Sequence, residues 1–105
     1  MSKIALLNDS LRRTFTGGKV VMTRGVAALP EGERAQVLER VRAFEEFTND
    51  NDPHGEHDFG SFDVAGVTYF FKVDYYSPDM EAGSEDPADP AKTTRVLTIM
   101  RADEY

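Results

Sequence analysis

The stretch Phe59-Gly60-Ser61-Phe62-Asp63-Val64-Ala65-Gly66-Val67-Thr68-Tyr69-Phe70-Phe71-Lys72-Val73-Asp74-Tyr75-Tyr76 decides the fold. It is rich in β-branched and aromatic residues, and stretches of it alternate between apolar and polar positions. The reading is two strands, Phe59 to Asp63 and Val67 to Tyr76. Val64-Ala65-Gly66 joins them as a tight hairpin, with Gly66 free to take a positive φ. A further β-branched run from Thr94 to Met100 sets Val96, Thr98 and Met100 opposite Leu97, Ile99 and Arg101. Three such strands in succession make an antiparallel meander.

Before the hairpin the period changes. Ile4, Leu7, Leu11 and Phe15 recur at three- and four-residue steps, which predicts a helix from about Lys3 to Phe15. Asn8, Asp9 and Ser10 have weak helix propensity and could break it. Gly17-Gly18 stops it, and Lys19 to Thr23 is a short β-branched strand. Pro30, Glu31 and Glu33 suit a helix start, and Val37, Leu38, Val41, Phe44 and Phe47 give the helix an apolar stripe to Phe47. The order is α-β-α-β-β-β: an α+β two-layer domain over residues 1–105, an antiparallel sheet with both helices on one face. Ser77 to Lys92 is a long acidic connection, and Asp86-Pro87 and Asp89-Pro90 deny it regular structure.

The chain has 105 residues, no cysteine and no tryptophan. A disulfide scaffold, a thiolate metal cluster and a cysteine nucleophile are therefore excluded. No apolar run approaches the roughly 18–20 residues of a membrane span, so a cytoplasmic protein is expected, with no membrane partner. The formal net charge is -7, unevenly placed. Residues 1–44 carry eight basic and four acidic side chains, a balance of +4; residues 45–91 carry one basic and thirteen acidic, a balance of -12. The last fourteen residues carry three basic and two acidic, a balance of +1. The acidic middle repels phosphates and attracts cations or a basic protein surface. Arg12, Arg13, Arg34, Arg40 and Arg42 lie on the helices without a recognised DNA-binding motif, so nucleic acid is not the expected partner. Acidic loops also serve solubility alone.

Several segments resemble one family. They are Asn49-Asp50-Asn51-Asp52-Pro53-His54-Gly55-Glu56-His57-Asp58-Phe59-Gly60, Lys72-Val73-Asp74-Tyr75-Tyr76, Gly83 to Pro90 and Thr94 to Met100, with Leu7-Asn8-Asp9 and Arg12-Arg13-Thr14-Phe15 at the N-terminal end. The chain is similar along nearly its whole length to the bacterial domain of unknown function number 3768. The resemblance implies a bacterial origin, in alphaproteobacteria, and a setting among accessory genes of plasmids or integrated elements. It implies no particular chemistry.

Unusual chemistry is concentrated in Asp50 to Asp58. His54, Glu56, His57 and Asp58 are the candidate ligands of a divalent metal, since imidazole with carboxylate suits zinc, manganese or non-haem iron. The two histidines are three apart, not at the i, i+4 spacing of a two-histidine zinc helix. Asp50, Asp52 and Gly55 match part of a calcium loop, but His54 and Ser61 fall where that loop needs oxygen ligands. The structural alternative is that Asp and Asn cap the helix end and His57 satisfies a buried hydrogen bond. For catalysis, His54 or His57 is the candidate base, Glu56 or Asp74 its orienter and Arg95 an anion clamp. Asp52, Asp58, Tyr75, Tyr76, Ser84, Glu85, Asp86 and Asp89 complete the candidate binding residues; strand alternation would send one of the two tyrosines to the core and the other to solvent.

Two functional expectations follow. The first is a binding or regulatory module acting on another protein through loops 50–58 and 77–92, conceivably an inhibitor of a host defence or nucleic-acid-handling protein. The second is a small metal-assisted hydrolase built on His54, Glu56, His57 and Asp58.

Overall fold

The computed structural model describes all residues, 1–105. The elements are α1 (Lys3–Thr14), β1 (Lys19–Met22), α2 (Arg24–Ala27), α3 (Glu31–Ala43), β2 (Phe59–Val64), β3 (Val67–Tyr76) and β4 (Thr94–Arg101). Short 3-10 turns follow at Pro90–Lys92 and Ala102–Glu104. The fold is α+β, a sheet covered on one face by helices.

The hairpin is as the sequence requires. Phe59 pairs with Lys72 and Val64 with Val67, so the turn is the two residues Ala65 and Gly66. Both have positive φ, 51° and 79°, the mirror-image turn that matches strand twist. β3 then pairs antiparallel with β4, from Tyr69 opposite Arg101 to Tyr76 opposite Thr94. Phe62, Val64, Tyr69, Phe71, Val73, Leu97 and Ile99 point inward and join Leu11, Val26, Val37, Val41 and Phe44 in the core. Gly60 sits directly under Phe71, where a Cβ would fall 2.3 Å from the ring.

The expectation of a wholly antiparallel sheet is corrected by β1. The order is β1-β4-β3-β2, and β1 runs parallel to β4, Lys19 beside Val96 through Met22 beside Ile99. Four elements, α2, α3, β2 and β3, intervene between β1 and β4, enough chain for a crossover, and β1 takes the free edge of β4 while β2 remains the other edge of the sheet. The sheet is mixed. The four-residue helix α2, between β1 and Pro30, was not anticipated either; it buries Val26.

Helix α3 stops at Ala43, short of the expected Phe47. Phe44 leaves the helical region (φ -62°, ψ 129°) and turns its ring edge-on to Phe71. The last carbonyls of α3 are taken by a side chain instead of another turn: Arg12 Nη1 donates to the carbonyls of Val41, Arg42 and Phe44. Helix α1 is unbroken at Asn8-Asp9-Ser10. Ser2 caps it through the Ala5 amide, and Phe15 closes it in the left-handed conformation.

Candidate functional site

Helix α1 carries a second, polar stripe. Ala5, Asn8, Asp9 and Arg12 lie at i, i+3, i+4 and i+7, and all four face inward. Asn8 is 0%, Asp9 3% and Arg12 1% exposed, so these polar groups must find partners inside the protein. They find them in four other segments.

Asp9 is held between two cationic or donor groups. Arg12 Nη2 lies 2.8 Å from its Oδ1, and the ring Nδ1 of His57 lies 2.9 and 3.0 Å from its two oxygens. A carboxylate acceptor places the proton of that ring nitrogen on Nδ1. On the other side of the ring, Nε2 is 3.7 Å from Asp52 Oδ2. Asp52 is itself buried, and its Oδ1 accepts the amides of Glu56 and His57. Its carboxylate thus shapes the turn and is spent on backbone donors, so it is not presented to a cation. The His57 ring stacks on Phe47 at 4.0 Å and 1°. His57 has φ 56°, an uncommon conformation for a side chain with a Cβ, and these contacts hold it there.

Asn8 organises the neighbouring half. Its Nδ2 donates to the Glu56 carbonyl (3.0 Å) and to the Tyr75 hydroxyl (2.8 Å), and its Oδ1 accepts from Arg95 Nε (2.9 Å). Arg95 is 3% exposed, lies over the Tyr75 ring, donates to the Pro87 carbonyl and has no carboxylate within salt-bridge distance. Burial lowers its affinity for the proton, and a neighbouring Glu56 charge works the other way. Burial is also the main cause that pushes the Tyr75 hydroxyl up to about 12, so it stays a neutral phenol.

Two carboxylates border this network without cations of their own. Glu56 and Asp58 are half-buried and form no ion pair. Both are shifted toward protonation, first by burial; the charge of Asp58 adds to the effect on Glu56, and that of Asp52 to the effect on Asp58.

The sequence-derived site residues therefore divide. Asp52, Glu56, His57, Tyr75 and Arg95 converge on α1. His54 is exposed and makes no hydrogen bond. Asp74 alternates to the opposite sheet face and pairs with Lys72 at 2.9 Å, and Tyr76 shares that face. Thus Tyr75 packs against the core while its neighbour points away. No three histidine, aspartate or glutamate side chains are grouped so as to hold a metal ion. Ser84 is a staple of loop 77–92: its hydroxyl is 2.7 Å from Thr93 Oγ1 and 3.1 Å from the Lys92 carbonyl. Asp86 and Asp89 accept the amides of Ala88 and Ala91, and Glu85 pairs with Lys92 at 3.4 Å on the surface. The loop is thus ordered by local side-chain bonds, with a 3-10 turn at Pro90–Lys92 that its prolines did not forbid.

Asn8, Asp9 and Arg12 were not among the sequence-derived site residues. The available signal was their spacing, which continues a helix face with polar residues where an apolar stripe is normally sought.

Fold and site together define a two-layer α+β domain whose acidic loops rest on a buried polar network. The chain belongs to the family described as protein of unknown function (DUF3768), which matches residues 22–104. The α1 residues of the network precede the matched segment. Neither a curated protein nor a solved structure matches the chain. No helix is long and apolar enough to cross a membrane.

Proposed function

We propose that the protein is a binding or regulatory module that engages a basic surface of another protein through loops 50–58 and 77–92. The observation that carries this reading is the pair Glu56 and Asp58. Two half-buried carboxylates stand together with no salt-bridge partner, and each is shifted toward protonation by burial and by neighbouring negative charge, which outweigh the nearby charges of His54 and, for Glu56, of Arg95. A cation from a partner relieves that cost. On the two acidic loops Asp50, Glu81, Glu85 and Asp86 are exposed and add to the negative field. An array of carboxylates can stand in for nucleic-acid phosphates, so the partner class we favour is a protein with a basic nucleic-acid-binding face. In this reading the protein is a bacterial, cytoplasmic accessory of a mobile element, acting as an inhibitor of a host defence or nucleic-acid-handling protein. The metal-assisted hydrolase is the weaker reading, because His57 is committed to Asp9 and His54 stands apart.

Titration of the protein with a deca-arginine peptide, followed calorimetrically at low and moderate salt, tests the proposal. Glu56→Gln with Asp58→Asn should weaken binding by roughly tenfold, a change worth about 1.4 kcal/mol. Glu31→Gln with Glu33→Gln, which removes the same charge from α3, should change it by less than about twofold. Equal losses from both pairs would reduce the effect to net charge and end the proposal.

A further inference from the structure

Helix α1 is attached to the domain by unusual means. Of the apolar core side chains, it supplies only Leu11, while Leu6 is exposed. Its buried face is otherwise Ala5, Asn8, Asp9 and Arg12. Hydrophobic burial resists opening in proportion to area, whereas polar groups recover water when they separate, so their net hold is small for the number of bonds made. Arg12 is held by the end of α3, while the partners of the other polar groups gather at loop 50–58 and the adjoining strand ends. Asn8 and Asp9 bond the Glu56 carbonyl, the His57 ring and the Tyr75 hydroxyl, and Ser2 at the head of the helix reaches the Gly55 carbonyl.

The loop in turn has little else to hold it down. Its own bonds are local, Asp52 with Thr48, Gly55, Glu56 and His57 and Asn51 with Thr48 and the Glu46 carbonyl, and its distant anchors other than α1 are the Phe47 stack and the Val73 amide on the Asp58 carbonyl. The tether to β1 is built to swing. Gly17 has φ 90° and nothing within 4 Å of a notional Cβ, whereas Gly18 is packed tightly on the Arg95 backbone. Motion is therefore possible up to Gly17 and stops at Gly18.

We propose that α1 is a strap: helix α1, turning at Gly17, and loop 50–58 open and close cooperatively against a sheet that stays folded. When the strap is closed, Asn8 and Asp9 consume the hydrogen-bonding groups of Glu56, His57, Tyr75 and Arg95. When it opens, Tyr75 and Arg95 stay with the sheet, form a polar floor over the end of β3 and β4 and become accessible. The inference stands independently of what loop 50–58 binds. It adds that any ligand of the closed loop stabilises α1, and that any ligand of the floor competes with α1.

Native-state hydrogen exchange on the full chain, in increasing sub-denaturing guanidinium, tests this. The amides of α1, Glu56 and His57 should exchange as one group, at least about tenfold faster than the amides of β3 and β4. Asp9→Asn and Asn8→Ala should each accelerate α1 and loop amides together, by roughly tenfold, and leave the strand amides within about threefold. If the loop accelerates while α1 does not, or if α1 exchanges only with the strands by global unfolding, the proposal fails. The wild-type denaturant series decides the matter alone if neither variant folds.

Discussion

The β3–β4 ladder and the junction of α1 with loop 50–58 are both buried, and they are held by opposite chemistry. On the inner face of the ladder lie Tyr69, Phe71, Val73, Leu97 and Ile99, each under 5% exposed. The junction buries Asn8, Asp9, Arg12, Asp52 and Arg95 to nearly the same degree. The apolar region is stabilised by the area removed from water, and close packing makes each lost methylene costly. In the polar region each group is merely compensated for its lost hydration, and almost completely: the only buried side-chain polar atom without a partner is Arg12 Nε. The lesson is that burial fraction does not measure hold. The ladder specifies and stabilises the fold; the junction fixes where the acidic loop sits.

The largest effect expected is on the ladder. Phe71→Ala removes a fully buried ring that meets Phe44 edge-on and roofs Gly60. It should cost about 3–5 kcal/mol in denaturant unfolding, a large part of the stability of a small domain. A cost near 1 kcal/mol would mean that the sheet does not dominate stability, and the contrast between the two regions would collapse.

Arg12→Met comes next. It retains an unbranched stem but leaves buried Asp9 with the His57 ring alone and strips the carbonyls of Val41, Arg42 and Phe44 of their side-chain donor. Breaking a buried pair on one side leaves an uncompensated charge, and about 3 kcal/mol is expected before water enters. The sharper test is where the damage shows. The NMR resonances of the His57 imidazole, displaced by its stack on Phe47, should revert to unfolded positions at lower denaturant than the strand signal in far-ultraviolet dichroism is lost. Coincident transitions would show that junction and ladder are one cooperative unit.

The two regions also differed in how far the sequence revealed them. Ala65-Gly66 and the flanking alternation made the hairpin legible, because strand period and turn chemistry are local properties. The placement of β1 was not legible: which edge a four-residue strand joins, and in which direction, depends on the crossover and leaves no mark in Lys19 to Met22. The α3 stripe ran on to Phe47 at helical spacing, yet Phe44 and Phe47 are used off the helix, since Arg12 supplies what the next turn would have satisfied. For the site, His54, Asp74 and Tyr76, singled out from the sequence, lie elsewhere, whereas Asp52, Glu56, His57, Tyr75 and Arg95, singled out alongside them, are brought together from separate segments. Their organiser was missed for a physical reason. Asn8 and Asp9 weaken a helix in isolation, and only tertiary partners turn that weakness into a docking face.

The smallest effect concerns the two uncompensated carboxylates at the rim of the junction. Folding raises the proton affinity of Glu56 and Asp58, chiefly by burial. In the window just above the ordinary carboxylate range the unfolded chain has released these protons while the folded chain still holds part of them. The folded state then binds more protons, so this contribution to stability falls as pH rises, and at neutral pH the pair is a net cost. Glu56→Gln with Asp58→Asn removes the cost. Because both side chains are partly exposed, the gain at about pH 7 should be under about 1 kcal/mol, and it should shrink as pH falls toward about 4. Melting temperatures of the variant and the parent across that range measure it. A gain that grows in acid, or a loss at neutral pH, would show that these carboxylates are already paid for by partners inside the fold, and that the rim belongs with the satisfied network and not with a surface kept open for a cation.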